Sequence, residues 1–183
     1  RYQLHARNVA IFVDTKNTYS NSLAGDFQRH FTSNGGVVVD TEPYTMGSHE
    51  GLRLLVQKAV SFRPDLIYFA GYSDDLTVLL VNLVEVQPNL QVLGGDALYQ
   101  LNGYSSSARA GFSLLHFTSF AYPDEWDILH MSAEKPAFFS AYKGAFNPAG
   151  QYGDGKYGYT RPANDVILSY DATFALLQGC KNA

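Results

Sequence analysis

The chain has 183 residues, of which 46% are hydrophobic and 16% charged, and its formal net charge is −4. That is long enough for a domain with a real core and too apolar for a disordered segment, and the acidic balance offers none of the basic face that a nucleic-acid site needs. A single cysteine, Cys180, excludes an internal disulfide and a cysteine zinc cluster.

In chain order, "NVAIFVD" (8–14) is an apolar run of strand length. A helix follows, with Leu23, Phe27 and Phe31 at helical spacing and Gly35-Gly36 as its stop. "VVVD" (37–40) reads as a second strand, and "SHEGLRLLVQKAVSF" (48–62) as a helix with Leu52, Leu55, Val56 and Ala59 on one face. "DLIYFAGY" (65–72) is a third strand; Ser73 is placed to cap the next helix, with Asp74 and Asp75 suiting its positive end. "LQVLGGDA" (90–97) and "GFSLLHFTSFAY" (111–122) are the fourth and fifth strands. "PAFFSAYKGAF" (136–146) reads as helix, 147–162 as a Gly-, Pro- and Tyr-rich loop, and 163–179 as a final helix set by Pro162 and Gly179.

Strands alternating with helices, each strand nearly continuous in apolar residues, predict an α/β three-layer sandwich around a mostly parallel sheet. No apolar run approaches the roughly 20 residues of a membrane helix. The opening "RYQLHARNVAIFVD" carries no signal peptide and reads as the interior of a longer chain.

In open parallel sheets the ligand sits beyond the carboxyl ends of the strands. The segment after strand one, "DTKNTYSNS", has no glycine before Gly25, so backbone amides are not free to cradle a phosphate. "GDGKYG" (153–158) fits the G-x-G-x-x-G spacing but follows no strand, and it reads as a loop. A phospho-receiver domain needs an acceptor Asp where this chain has Gly71-Tyr72. There is no G-x-S-x-G elbow, and His5, His30, His49, His116 and His130 show no metal-ligand spacing. No cofactor or metal is expected. Three residues remain at the ligand edge: Tyr19 after strand one, Tyr72 after strand three and Asp96 after strand four. Two phenols and a carboxylate make a poor reaction centre and a good clamp for a cationic group such as an ammonium. The alternative has Asp96 capping the segment after "LGGD" and the tyrosines lying on the surface.

These segments resemble a family. "VAIFVDTKNTYSNSLAGDFQRHFTSNGGVVV" is similar to the opening of the second lobe of type I periplasmic binding proteins, of the leucine/isoleucine/valine-binding branch that serves ABC transporters. "RPDLIYFAGYSDDLTVLL", "VLGGDAL", "FFSAYKGAF" and "VILSYDATFALL" resemble later segments of that lobe in the same order, so the likeness spans most of 8–178. In the family the second lobe supplies a Tyr after its first strand, a Tyr after its third and an acid after its fourth that meets the ligand's α-ammonium. The resemblance therefore selects Tyr19, Tyr72 and Asp96 as well. Three departures leave the ligand's identity open: a loop one residue longer before Tyr19, Asp96 where some members have Glu, and Gly51 where the family often has Phe.

The resemblance implies a solute-binding receptor domain and not an enzyme, binding an amino-acid-like small molecule in an extracytoplasmic setting, periplasmic or cell-surface, with a lipid anchor an option for the full-length protein. Its partner would be a membrane transporter or a signalling protein, and nucleic acid is not expected. Residues 1–146 would form the second lobe. Residues 147–183 would be the loop and terminal helix that pack on a first lobe absent from this sequence. The apolar face of that helix would be covered by another part of the chain or by a second copy, making a homo-oligomer. Two rivals are a sensory domain of the same fold and a small α/β enzyme using Asp96 or Asp14 as an acid or base.

Overall fold

The strands at 8–13 and 66–70 bury both faces, and the side-chain period of two decides which layer each residue joins. In the computed structural model, described residues are 4–49, 51–99, 104–119, 137–153 and 159–181. They fall into two compact units, Arg1–Thr118 and Ser119–Ala183. Residues 154–158 of the G-x-G-x-x-G match, His130 and the segment where strand five was expected to end (120–122) lie outside the described residues, as does residue 136.

In the first unit, strands β1 (Asn8–Val13), β2 (Val37–Pro43), β3 (Leu66–Ala70), β4 (Gln91–Gly94) and β5 (Leu115–Phe117) form one parallel sheet in the order β2-β1-β3-β4-β5. Val9, Ile11, Val13, Leu66, Tyr68 and Ala70 pack with Ala24 and Phe31 of helix α1 (Thr18–Ser33). Their alternates Ala10, Phe12, Ile67, Phe69 and Val92 pack on the other side, with α2 (Leu52–Ser61) and α3 (Ser73–Val86). This is the three-layer α/β sandwich read from the sequence.

Helix α1 starts and stops where its residues dictate. The Asn17 side chain accepts the Ser20 N–H at 3.0 Å, satisfying one of the unpaired first-turn donors. At the other end Gly35, at φ +78°, donates to the Thr32 carbonyl and Gly36 to that of Phe31, both at 2.9 Å. This is a Schellman closure, and the Phe31 ring lies over Gly36 where a Cβ would come within 2.3 Å of it. Strand β2 is an edge. It turns Glu42 inward, 1% exposed, to the Lys58 ammonium of α2 at 2.9 Å, and ends on Pro43. An inward charge and a proline both discourage edge-to-edge pairing.

Several boundaries differ from the sequence reading. Helix α2 begins at Leu52 and not at Ser48, because Gly47 (φ +74°) and Gly51 (φ +81°) first turn the chain through left-handed backbone. Ser73 does not cap α3. The extended Tyr72 (φ −112°, ψ 163°) stands at the N-cap with no side-chain bond, and Ser73 is the first helical residue. Asp74 and Asp75 do occupy the first turn. Strand four stops at Gly94, and Asp96–Tyr99 form a 3-10 turn. Residues Ser106–Leu114 form a second 3-10 helix and shorten strand five to three residues. Its buried residues Ala108, Gly111 and Leu114 recur every third position, the period of that helix and not of a strand.

In the second unit α4 (Ala137–Phe146) and α5 (Asn164–Lys181) match the expected helices within about two residues at their described ends. Phe138 stacks on Tyr170 with ring centroids 4.2 Å apart. The Asn147 side chain closes the following turn, donating to the Tyr152 carbonyl at 2.8 Å and accepting its N–H at 3.2 Å. Leu168, Tyr170, Phe174, Leu176 and Leu177 of α5 remain exposed.

Candidate ligand-binding site

The strand order brings the carboxyl ends of β1, β3 and β4 side by side. The chain leaves β1 toward β2 on one side and later builds β3 on the other, which opens a crevice at the reversal. Tyr19 enters it from the first turn of α1, Tyr72 from the N-cap of α3, and Asp96 from the 3-10 turn after β4. All three are half-buried.

The three residues meet. The Tyr19 hydroxyl donates to Asp96 Oδ1 at 2.9 Å and accepts the Ala97 backbone N–H at 3.3 Å. The Tyr19 and Tyr72 rings lie 5.4 Å apart at 35°. Burial, with help from the Asp96 charge, pushes the Tyr19 phenol up to about 12, so it stays protonated and remains a donor at physiological pH. Asp96 thus gives one oxygen to Tyr19, and no described residue donates to the other. Asp96 also opens its 3-10 turn, so a local structural role and a place beside the tyrosines coexist.

Neighbouring acids have different duties. The two oxygens of Asp14, which is 5% exposed, accept the Lys16 and Met46 N–H groups, each at 2.9 Å. The bond from Met46 leads in holding the Asp14 carboxyl below its ordinary range. Asp75 accepts the Gly47 N–H at 2.9 Å and lies 3.4 Å from His49 Nε2, while burial raises its pKa. These two acids anchor the loop after β2 by its backbone. Neither was singled out for that task by the sequence, because their partners are 28 and 32 residues distant. A pocket of about 310 Å³ opens between the loops after β1 and β2, lined by Thr15, Lys16, Thr45, Ser48 and Leu52 among others. It does not include the Tyr19–Tyr72–Asp96 group.

No family model matches the sequence, and no curated protein does. Solved structures do match. The leucine-binding protein of Thermotoga maritima superposes with a TM-score of 0.71 at 23% identity, over 98% of this chain and 46% of its own. A substrate-binding protein of a Desulfitobacterium hafniense ABC transporter, solved with Leu, gives 0.64 at 19% identity over 100% and 47%. A branched-chain amino acid ABC transporter protein of Rhodospirillum rubrum gives 0.62 at 22%, over 80% and 40%. The fold is that of a type I periplasmic-binding-protein lobe. The chain spans less than half the length of each of these structures. Among the described residues, no helix is long and apolar enough to cross a membrane.

Proposed function

We propose that the chain is the second lobe of an extracytoplasmic solute-binding receptor for an amino acid or close relative, serving ABC-type transport. Tyr19, Tyr72 and Asp96 form one wall of its cleft. The observation that carries this reading is the Tyr19–Asp96 bond of 2.9 Å, which fixes a carboxylate at the sheet's carboxyl edge with its second oxygen open beside two aromatic rings. An ammonium has the complementary chemistry: a charge for the carboxylate, donors for both phenol oxygens, and a cation for the ring faces. Of the neighbours in fold, one is a leucine-binding protein and another was solved with Leu, which favours the same ligand class here.

In this reading residues 1–146 belong to the lobe, and residues 147–183 lead to a first lobe. The exposed Leu168, Phe174, Leu176 and Leu177 of α5 are then the surface that first lobe covers. Closure of the two lobes on the ligand would present a changed surface to the membrane transporter.

The test is thermal unfolding of the chain against free amino acids, their amides and small aromatic acids, with Asp96→Ala in parallel. At ligand about 100-fold above its dissociation constant, binding adds roughly 2.7 kcal/mol of stability. A shift seen for amines and lost in Asp96→Ala supports the clamp. A shift of equal size in Asp96→Ala removes Asp96 from the site.

A further inference from the structure

Beneath the two tyrosines lies a hydrogen-bond junction that gathers three strand ends and a helix. The backbone N–H of Asp14, just past β1, donates to Ser20 Oγ at 2.8 Å. The Ser20 hydroxyl in turn donates to the carbonyl of Ala70, the last residue of β3, at 2.5 Å. The Tyr44 hydroxyl, just past β2, donates to that same carbonyl at 3.3 Å. Ser20 is fully buried and Tyr44 nearly so. Ser20 follows Tyr19 directly, and Ala70 stands two residues before Tyr72. One carbonyl oxygen therefore fixes the backbone beneath both aromatic walls of the crevice.

Gly71 completes the junction. A Cβ there would come 2.0 Å from the Tyr44 hydroxyl and 2.7 Å from the Phe69 ring. The glycine ahead of Tyr72 is present for room, since its backbone is not among the left-handed glycines. Tyr44 also stacks on Phe69, at 5.4 Å and 23°, so its hydroxyl is aimed by packing as well as by its bond.

We propose that Ser20 and Tyr44 are positioning residues: through the Ala70 carbonyl they set the separation of Tyr19 and Tyr72, and so hold Tyr19 in reach of Asp96. The proposal rests on the ligand-binding reading only for its consequence for affinity. The geometric part concerns the protein alone. Losing either hydroxyl leaves a buried partner short of a bond, and the two tyrosines lose their common reference point.

The experiment labels the chain with 3-fluorotyrosine and assigns the Tyr19 and Tyr72 resonances with Tyr19→Phe and Tyr72→Phe. Ser20→Ala and Tyr44→Phe are compared with Val9→Ala, a core truncation at the amino end of β1 that lowers stability without touching the junction. Both junction variants shift or broaden the Tyr19 and Tyr72 resonances, and Val9→Ala does not. Titration of an amino acid that binds the parent then shows affinity weaker by roughly tenfold in the junction variants, the equivalent of one hydrogen bond. Unmoved Tyr19 and Tyr72 resonances in Tyr44→Phe, the milder variant, overturn the proposal, as do equal shifts in Val9→Ala. If the resonances move while no amino acid binds the parent chain even well above the millimolar range, the positioning role stands and the reading of Tyr19, Tyr72 and Asp96 as an ammonium clamp fails.

Discussion

The adjacent glycines of "LGGD" should fail differently when given a methyl group. At Gly94 a Cβ would lie 2.1 Å from Leu98 Cδ1 and 2.8 Å from the backbone carbonyl of Phe69. Phe69 pairs with Gly94 in the sheet, so that carbonyl cannot retreat without breaking the β3–β4 ladder. Overpacking of this kind costs about 1–3 kcal/mol. At about 2–4 °C per kcal/mol for a chain of this size, Gly94→Ala should lower Tm by several degrees. At Gly95 the contacts are Leu23 Cδ2 at 2.7 Å and the Tyr19 hydroxyl at 2.8 Å, both ends of side chains that can turn aside. Turning them off their rotamers costs about 1 kcal/mol, and losing a glycine's freedom in the unfolded chain returns about 0.4–1 kcal/mol. Gly95→Ala should therefore melt within about 2 °C of the parent. Its damage falls on the site, because the displaced Tyr19 hydroxyl no longer reaches Asp96. Scanning calorimetry of both variants and a crystal structure of Gly95→Ala test this. Equal losses of Tm, or a Tyr19–Asp96 bond intact in Gly95→Ala, would refute the reasoning.

Other outcomes follow from the same distances. Gly25 lies inside α1 with nothing within 4 Å of a built Cβ, so Gly25→Ala should stabilise the chain by about 0.5–1 kcal/mol, read as a raised denaturant midpoint at unchanged m. Asp14→Asn turns an amide donor toward the Met46 or Lys16 N–H and should cost about 1–3 kcal/mol at neutral pH. The Asp14 pKa is lowered on folding, so its stabilisation is present above the ordinary value of 3.8 and is lost as pH falls through the folded value. The Tm gap between parent and Asp14→Asn should accordingly narrow below about pH 3.8, and a constant gap down to pH 2 would count against the linkage. The chain alone should bind amino acids no more tightly than about millimolar by calorimetry, since a half-exposed ion pair contributes about 0–1 kcal/mol. Micromolar binding would mean that this wall needs no opposite wall.

The fold and the trio were legible for one reason. Apolar runs of strand length separated by amphipathic helices fix a parallel sheet, and such a sheet puts the residue after each strand at one edge. Tyr19, Tyr72 and Asp96 could be found by that rule without knowing any contact. The junction below them could not. Ser20 and Ala70 are 50 residues apart, Tyr44 and Ala70 are 26 apart, and the acceptor is a backbone carbonyl, which has no sequence signature. Ser73 misled for a related reason. A serine before an acidic turn looks like a cap, but the cap position belongs to whichever residue is extended as the chain leaves β3, and that is Tyr72. The fifth strand misled because "GFSLLHF" carries both periods, two and three, and packing of Gly111 against Leu80 of α3 selects three.

The charge of the trio bounds what the proposed wall would select. Tyr19, pushed up to about 12, is neutral over the physiological range, so it adds a ring and an acceptor oxygen but no charge, its one O–H being given to Asp96. Asp14 and Asp75 spend their charge on backbone N–H groups of the loop after β2. The Asp96 carboxylate is then the only charge in the trio, and one of its oxygens is already held by Tyr19. As the proposed wall, the trio would favour a cationic end over an anionic one, because nothing in it offers a charge partner for a carboxylate. An amino acid carries both ends. Under the proposed function its ammonium would meet this wall and its carboxylate would need groups on another surface, as one wall of a cleft requires, and the chain spans under half the length of its structural neighbours.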